Sequence, residues 1–159
     1  MNNVKKRTVI TYIVSILIAL AVGGLSAFFT RNNMNVYDTL NRPPLAPPMI
    51  VFPIAWSILF ILMGISAAMI YLKKDEADVW GALKIYGFQL VVNFFWSIIF
   101  FNMQAYLFAV IWLAVLWILV LIMILSFKKI KPTAAYLQIP YLVWLTFAFY
   151  LSLMIYILN

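Results

Sequence analysis

Residues Ile111 to Leu125 read IWLAVLWILVLIMIL, a run with no polar face at any periodicity. A barrel strand alternates apolar and polar side chains, and a helix on the surface of a soluble protein keeps a polar stripe. Neither pattern is present, so the run reads as a helix surrounded by hydrocarbon and protein. Working outward, apolar stretches near Val9 to Phe29, Met49 to Leu72, Val79 to Phe101, Ala105 to Phe127 and Ala134 to Leu158 form five such segments. About 21 residues at about 1.5 Å each reach about 31 Å, enough to cross a hydrocarbon core of about 30 Å. Composition agrees: 67% of residues are hydrophobic and 9% charged, far from the roughly 45–50% and 25% of soluble domains. The expected fold is an all-α integral membrane protein, one domain over residues 1–159 built as a bundle of five transmembrane helices. Lys5, Lys6 and Arg7 precede the first span as in a secretion signal, but about 21 apolar residues exceed the roughly 7–15 of a signal's core.

Of the eleven Lys and Arg residues, Lys5, Lys6, Arg7, Lys73, Lys74, Lys84, Lys128, Lys129 and Lys131 fall on one side of these spans. Only Arg31 and Arg42, both in the first loop, fall on the other. Cytoplasmic loops retain Lys and Arg, so the N-terminus is expected in the cytoplasm and the first loop and C-terminus outside. The net charge of +7 is thereby a topology signal, and anionic membrane lipid accounts for it without nucleic acid as a partner.

The chain has no Cys and no His, which removes disulfides, a thiol nucleophile, an imidazole base and the ordinary side-chain ligand sets for zinc, haem or copper. The four acids, Asp38, Asp75, Glu76 and Asp78, lie between the spans, leaving no carboxylate within the membrane for an ion relay. No metal site and no conventional catalytic constellation is read here.

The first loop, Thr30 to Pro48, is long for a compact bundle. Asn35 is placed to cap a short helix bearing Asp38, and the turn must stop before Pro43, because a residue preceding proline is pushed away from helical angles. Four prolines in Asn41 to Pro48 then stiffen the backbone and reduce the entropy lost when it lies over the bundle. The loop reads as an ordered lid or as a stiff spacer. In the third span Gln89, Asn93 and Ser97 recur every four residues, with Trp96 beside them. A polar stripe at bilayer depth faces protein or ligand, and joining helices is its simpler use. Trp56, Phe60 and Gly64 share a face of the second span, as do Trp144, Ala148 and Ser152 of the fifth, where packing is the simpler role. In the first span Ser15, Ala19, Gly23 and Ala27 permit close approach of another helix, within the bundle or between subunits. Two short matches to a proposed sterol pattern, Lys84 with Tyr86 and Leu90, and Arg7 with Tyr12 and Val14, are of a kind that chance produces often in basic-ended helices.

Taken in order, Tyr37, Leu40, Arg42, Pro43, Pro47, Pro48, Val51, Phe52, Trp56, Met63 and Gly64, then Gln89, Asn93 and Trp96, then Pro140, Tyr141, Trp144, Phe147 and Ala148, resemble the translocator protein family, also known as tryptophan-rich sensory proteins or peripheral-type benzodiazepine receptors. The resemblance covers nearly the whole chain. It implies a five-helix bundle, frequently a homodimer, in a bacterial cytoplasmic membrane. The bundle would bind porphyrin-like tetrapyrroles and, in some members, sterols and synthetic isoquinoline or benzodiazepine ligands. The pocket would lie under the first loop, with Arg42, Pro43, Trp56, Gln89, Asn93, Trp96, Tyr141, Trp144, Phe147 and Ala148 as its residues. Porphyrin would be a ligand rather than an intrinsic cofactor, its propionate meeting Arg42 at the mouth.

The chain departs from the family pattern at Val36 and Leu45, where Trp is usual or common, at Arg42, where Lys is commoner, and at Ser152, where Asn usually stands. The family's C-terminal sterol motif needs a basic residue after a Tyr, and only Ile157, Leu158 and Asn159 follow Tyr156. The leading expectation is a membrane receptor for hydrophobic planar ligands. The alternatives are light- and oxygen-dependent porphyrin breakdown, with Trp56 and Trp144 as the photochemical residues, and a transporter of lipid, sterol or porphyrin. For topology, reporter fusions should place the two termini on opposite sides of the membrane with the N-terminus inside. Both termini on one side would rule out five spans.

Overall fold

The computed structural model describes residues 2–159. Five helices long and apolar enough to cross a membrane account for most of the chain, and no strand is present among the described residues. In chain order the elements are α1 (Asn3–Thr30), α2 (Val36–Thr39), α3 (Val51–Tyr71), α4 (Trp80–Ser97) continued by a π-helical turn (Ile98–Asn102), α5 (Tyr106–Ile130), α6 (Pro132–Leu137) and α7 (Ile139–Leu158). The fifth span is two pieces, because Gln138 leaves the helical ladder just before Pro140, whose ring cannot continue it. The first span starts at Asn3, well before Val9, where the Asn2 carboxamide accepts the Val4 N–H and supplies an N-cap.

Around the bundle, α1 packs on α3 and α4, α5 packs on α4, α6 and α7, and α6 returns to α3. Lipid tails are as apolar as leucine, so burial of the shared faces does not by itself hold these helices together; close packing and interhelical hydrogen bonds do. Four of these six seams carry a short bond of this kind, and across a fifth, α1 to α4, Ser26 reaches the Phe94 carbonyl at 3.4 Å. Ser15 donates to the Gly64 carbonyl at 2.7 Å (α1 to α3), and Ser66 to the Ala134 carbonyl at 2.7 Å (α3 to α6). The Trp112 indole donates to the Val92 carbonyl at 2.7 Å (α5 to α4), and Trp117 to the Thr146 hydroxyl at 2.9 Å (α5 to α7).

The small-residue stripe of α1 is an internal seam. Ala19 is fully buried, and a Cβ added at Gly64 would lie 2.5 Å from the Ile16 Cα, too close for any real contact. The sterol-pattern match at Lys84, Tyr86 and Leu90 fits its reading as a chance one: Tyr86 and Leu90 are buried in the core and only Lys84 is exposed. The capping role of Asn35 also fails, because its backbone is helical (φ −67°, ψ −14°) and its side chain makes no capping bond. A cap requires extended backbone, and here Asn35 instead offers its carbonyl to the Asp38 N–H at 3.1 Å.

Gly64→Ala should lower stability by about 1–3 kcal/mol, since the α1 backbone must move aside. Gly24→Ala, where an added Cβ meets nothing within 4 Å, should stay within about 0.5 kcal/mol. Denaturation in detergent measures both, and equal effects would show that the α1 to α3 seam does not depend on close approach at Gly64.

Candidate functional site

Three turns of α4 carry the polar column. Gln89 and Asn93 are buried and meet Tyr141 of α7: the Asn93 Nδ2 donates to the Tyr141 hydroxyl at 2.6 Å, and that hydroxyl donates to the Gln89 Oε1 at 2.8 Å. The Gln89 Nε2 has only the Met63 sulfur, at 3.9 Å. One phenol thus joins two helices. It also uses the Asn93 amide nitrogen, which leaves the Asn93 Oδ1 without a protein partner among the described residues; Asn93 is one of the residues lining a cavity of about 260 Å³.

The cavity lies among α1, α3, α4 and α7, beneath the first loop. Its walls are Gly23, Ala27 and Thr30 from α1, Phe52, Trp56 and Phe60 from α3, Asn93, Trp96 and Ser97 from α4, and Ala148, Ser152 and Ile155 from α7. Tyr37 of α2 comes from the loop side. None of the described lining side chains carries a charge. Phe100 and Phe101 both line it, as the consecutive residues Trp96 and Ser97 do. The two rings belong to the π-helical turn, in which the Met103 N–H bonds back to the Ile98 carbonyl at 3.0 Å. Trp96 stacks on Phe100 with ring centroids 5.4 Å apart.

The loop is tied down at several points. Tyr37 donates to the Pro47 carbonyl at 2.8 Å and Tyr150 of α7 to the Pro44 carbonyl at 2.9 Å. Asn41 and Asn159 bond reciprocally, the Asn41 N–H to Oδ1 at 3.0 Å and the Asn159 Nδ2 to the Asn41 carbonyl at 2.9 Å. At the other flank Asn33 donates to Asn102 at 2.8 Å, and Asn102 to the Phe29 carbonyl at 2.9 Å. Burial pushes the Tyr37 phenol above its ordinary range, with the neighbouring Arg42 partly opposing the shift. Leu45, at φ 73°, takes a left-handed conformation that a branched side chain rarely adopts, at an exposed point of the loop.

Of the residues singled out in the sequence, Trp56, Asn93, Trp96 and Ala148 line the cavity. Gln89 and Tyr141 form the hydrogen-bonded layer beneath Asn93. Trp144 stands one layer behind, edge-on to Trp56 at 6.3 Å and to Phe52 at 6.0 Å, and Phe147 packs on Trp144 at 5.6 Å. Pro43 is buried in the loop. Arg42 lies outside the cavity lining, 3.7 Å from Asp38 and with its guanidinium 5.0 Å from the centre of the Tyr37 ring. That exposed ion pair is worth about 0–1 kcal/mol. The sequence reading missed Thr30, Phe100, Phe101 and Ile155. Thr30 and Ile155 continue the helix faces of Ala27 and Ser152 and were within reach of the same periodicity, whereas Phe100 and Phe101 lie in the π-helical turn.

An all-helical five-span membrane protein with an uncharged, aromatic-walled cavity under a proline-stiffened loop is the class that fold and site define. Residues 15–158 match the profile of the TspO/MBR family, and the chain belongs to that family. It is 36% identical to the tryptophan-rich protein TspO of Chlorobaculum tepidum, over 96% of this chain and 98% of that protein. Protein CrtK of Rhodobacter capsulatus is 34% identical over 77% of this chain and 78% of its own length. The translocator protein of Bos taurus is 31% identical over 79% and 76%.

Tyr141→Phe removes both bonds of the phenol and leaves two buried amides short of a partner, which should cost about 1–3 kcal/mol. Asn93→Ala in the Tyr141→Phe background should then cost less than in the wild type. A double-mutant cycle by chemical denaturation measures the difference, and strictly additive losses would show that the two side chains are not coupled.

Proposed function

We propose that this protein is a membrane receptor for porphyrin-like tetrapyrroles and other hydrophobic planar ligands. The observation that carries the reading is the cavity wall itself. Trp56, Trp96 and Phe100 supply flat apolar surface, no described lining residue is charged, and Asn93 offers one free acceptor. Aromatic faces favour a planar partner, and a single polar point orients it. A volume of about 260 Å³ lies near the lower edge of the roughly 300–1,000 Å³ usual for small-molecule pockets. A macrocycle would therefore be held edge-first, with part of it outside the cavity. Membership of the TspO/MBR family supports the same reading. The protein would sit in a bacterial cytoplasmic membrane with the end bearing Lys5, Lys73 and Lys128 inside.

A second reading, light- and oxygen-dependent breakdown of the bound porphyrin, is favoured by one contact. Trp56 in the wall is backed by Trp144 at 6.3 Å and by Tyr141 at 6.1 Å, so an excited ligand would lie against a cluster of oxidisable rings.

Titration of the purified protein with protoporphyrin in the dark, following Trp fluorescence, separates these readings. Trp56→Phe keeps a ring but loses area, so affinity should fall by about 2- to 12-fold, the equivalent of about 0.5–1.5 kcal/mol. Absence of porphyrin-dependent quenching in the wild type would overturn the receptor reading for tetrapyrroles. Under light and oxygen at saturating protein, equal bleaching of free and bound porphyrin would eliminate the enzymatic reading.

A further inference from the structure

We infer that the ligand reaches the cavity sideways from the membrane, through a slot between α1 and α3, and that Arg31 holds its anionic end at the rim. The inference rests on the receptor reading above and adds the route and the orientation of the ligand. The two helices meet most closely at Ser15 and Gly64. Further toward the loop the seam is still filled at Gly23, where an added Cβ would lie 2.6 Å from the Phe60 ring of α3, but on the neighbouring face one added at Gly24 would meet nothing within 4 Å. Gly24 and Ala27 of α1, with Pro53 and Ser57 of α3, each line the cavity and are each exposed on the outer surface. A residue that is both cavity wall and outer surface is the rim of an opening. Both helices are membrane spans, so this opening faces lipid.

The rim is suited to hydrocarbon. Pro53 has no N–H, and the Ser57 hydroxyl is spent on the Pro53 carbonyl at 2.6 Å, so neither offers lipid an unpaired donor. Among the described residues no hydrogen bond or ion pair bridges the rim. The route through the loop is different, because it crosses the Asn41 to Asn159 pair, the Tyr150 to Pro44 bond and the Tyr37 to Pro47 bond. Inside, Asn93 lines the cavity, is only 5% exposed and has an Oδ1 with no protein partner among the described residues, a destination for an N–H or O–H at the leading edge of the ligand.

An uncharged wall leaves carboxylates outside. Arg31 follows Ala27 by four residues and so lies on the same face of α1, one turn further toward the water. Its guanidinium rests over the Phe28 ring at 3.9 Å, donates one N–H to the Phe28 carbonyl at 3.2 Å and forms no salt bridge among the described residues, whereas Arg42 is already beside Asp38. The occupant is thus an amphiphile dissolved in the loop-side leaflet, flat and uncharged where it leads, acidic where it trails.

The test uses the full chain in lipid vesicles preloaded with protoporphyrin or its dimethyl ester, following Trp quenching by stopped flow. Gly24→Phe and Ser57→Phe, on opposite rims, should each slow both association and release by about tenfold or more, and Asn41→Ala should change neither by more than about twofold. Arg31→Gln should weaken the free acid by about 3- to 10-fold and leave the ester near its wild-type affinity. Wild-type rates in both rim variants, with faster uptake in Asn41→Ala, would move the route to the loop and overturn the inference. Equal loss of acid and ester in Arg31→Gln would remove the anchoring role. If neither porphyrin quenches the wild type, the receptor reading fails by itself, and lipids brominated on their acyl chains then test the slot directly. They should quench the emission that Trp56→Phe removes, and less so in Gly24→Phe; no quenching of that component would mean that the slot is closed to lipid.

Discussion

The Tyr141 hydroxyl, accepting from Asn93 and donating to Gln89 in the middle of the bundle, is the interaction on which the site depends. In hydrocarbon two bare amides on α4 would each be costly, and the phenol answers both with one oxygen. The same bond sets the rotation of α7. With Tyr141 turned inward, Ala148 and Ser152 follow on its inner face at helical spacing and become the cavity wall. With the Asn93 nitrogen committed, its oxygen is left without a protein partner among the described residues.

Elsewhere the bundle obeys the same economy. Between helices bathed in lipid, apolar contact gives little net attraction, and four of the seams have a short side-chain hydrogen bond to a carbonyl or hydroxyl. Individually these are weak, averaging about 0.6 kcal/mol where comparable bonds have been measured. Their value lies in register: a serine that must reach Gly64 fixes which residues of α1 lie beside α3. Where Ser15 and Gly64 bring the two backbones together the seam is closed, and where Gly24 and Ala27 face Pro53 and Ser57 it opens. One pair of helices is thus both clamp and gap, and the difference is set by which small residues face a carbonyl and which face empty space.

The proline loop belongs to this arrangement as a roof rather than as a wall. Tyr37 is its main point of contact with the cavity, and its other ties run to α7 and to the π-helical end of α4 through Asn41, Pro44 and Asn33. Four prolines limit the conformations it must give up to be held there. The ties are hydrogen bonds in the water-facing layer, where exchange with solvent is easy, whereas the bonds among Asn93, Tyr141 and Gln89 are sealed from water. The roof and the core of the site therefore differ in how readily they open.

By itself the sequence determined the five spans, because hydrocarbon imposes a length and an unbroken apolar content that can be counted residue by residue. It determined the inward face of α4, since Gln89 and Asn93 at spacing of four admit no lipid-facing arrangement, and the close approach of α1, since only small residues permit it. Only the tertiary structure decided which seam that approach formed, because Ser15 meets Gly64 from a different helix and no local pattern encodes the pairing. It also decided that Trp144 stands behind Trp56 rather than in the wall, that Tyr86 and Leu90 are buried, and that Arg42 is occupied by Asp38. Phe100 and Phe101 were illegible for a different reason. They lie in a π-helical turn, a local departure from the periodicity on which reading the sequence relies.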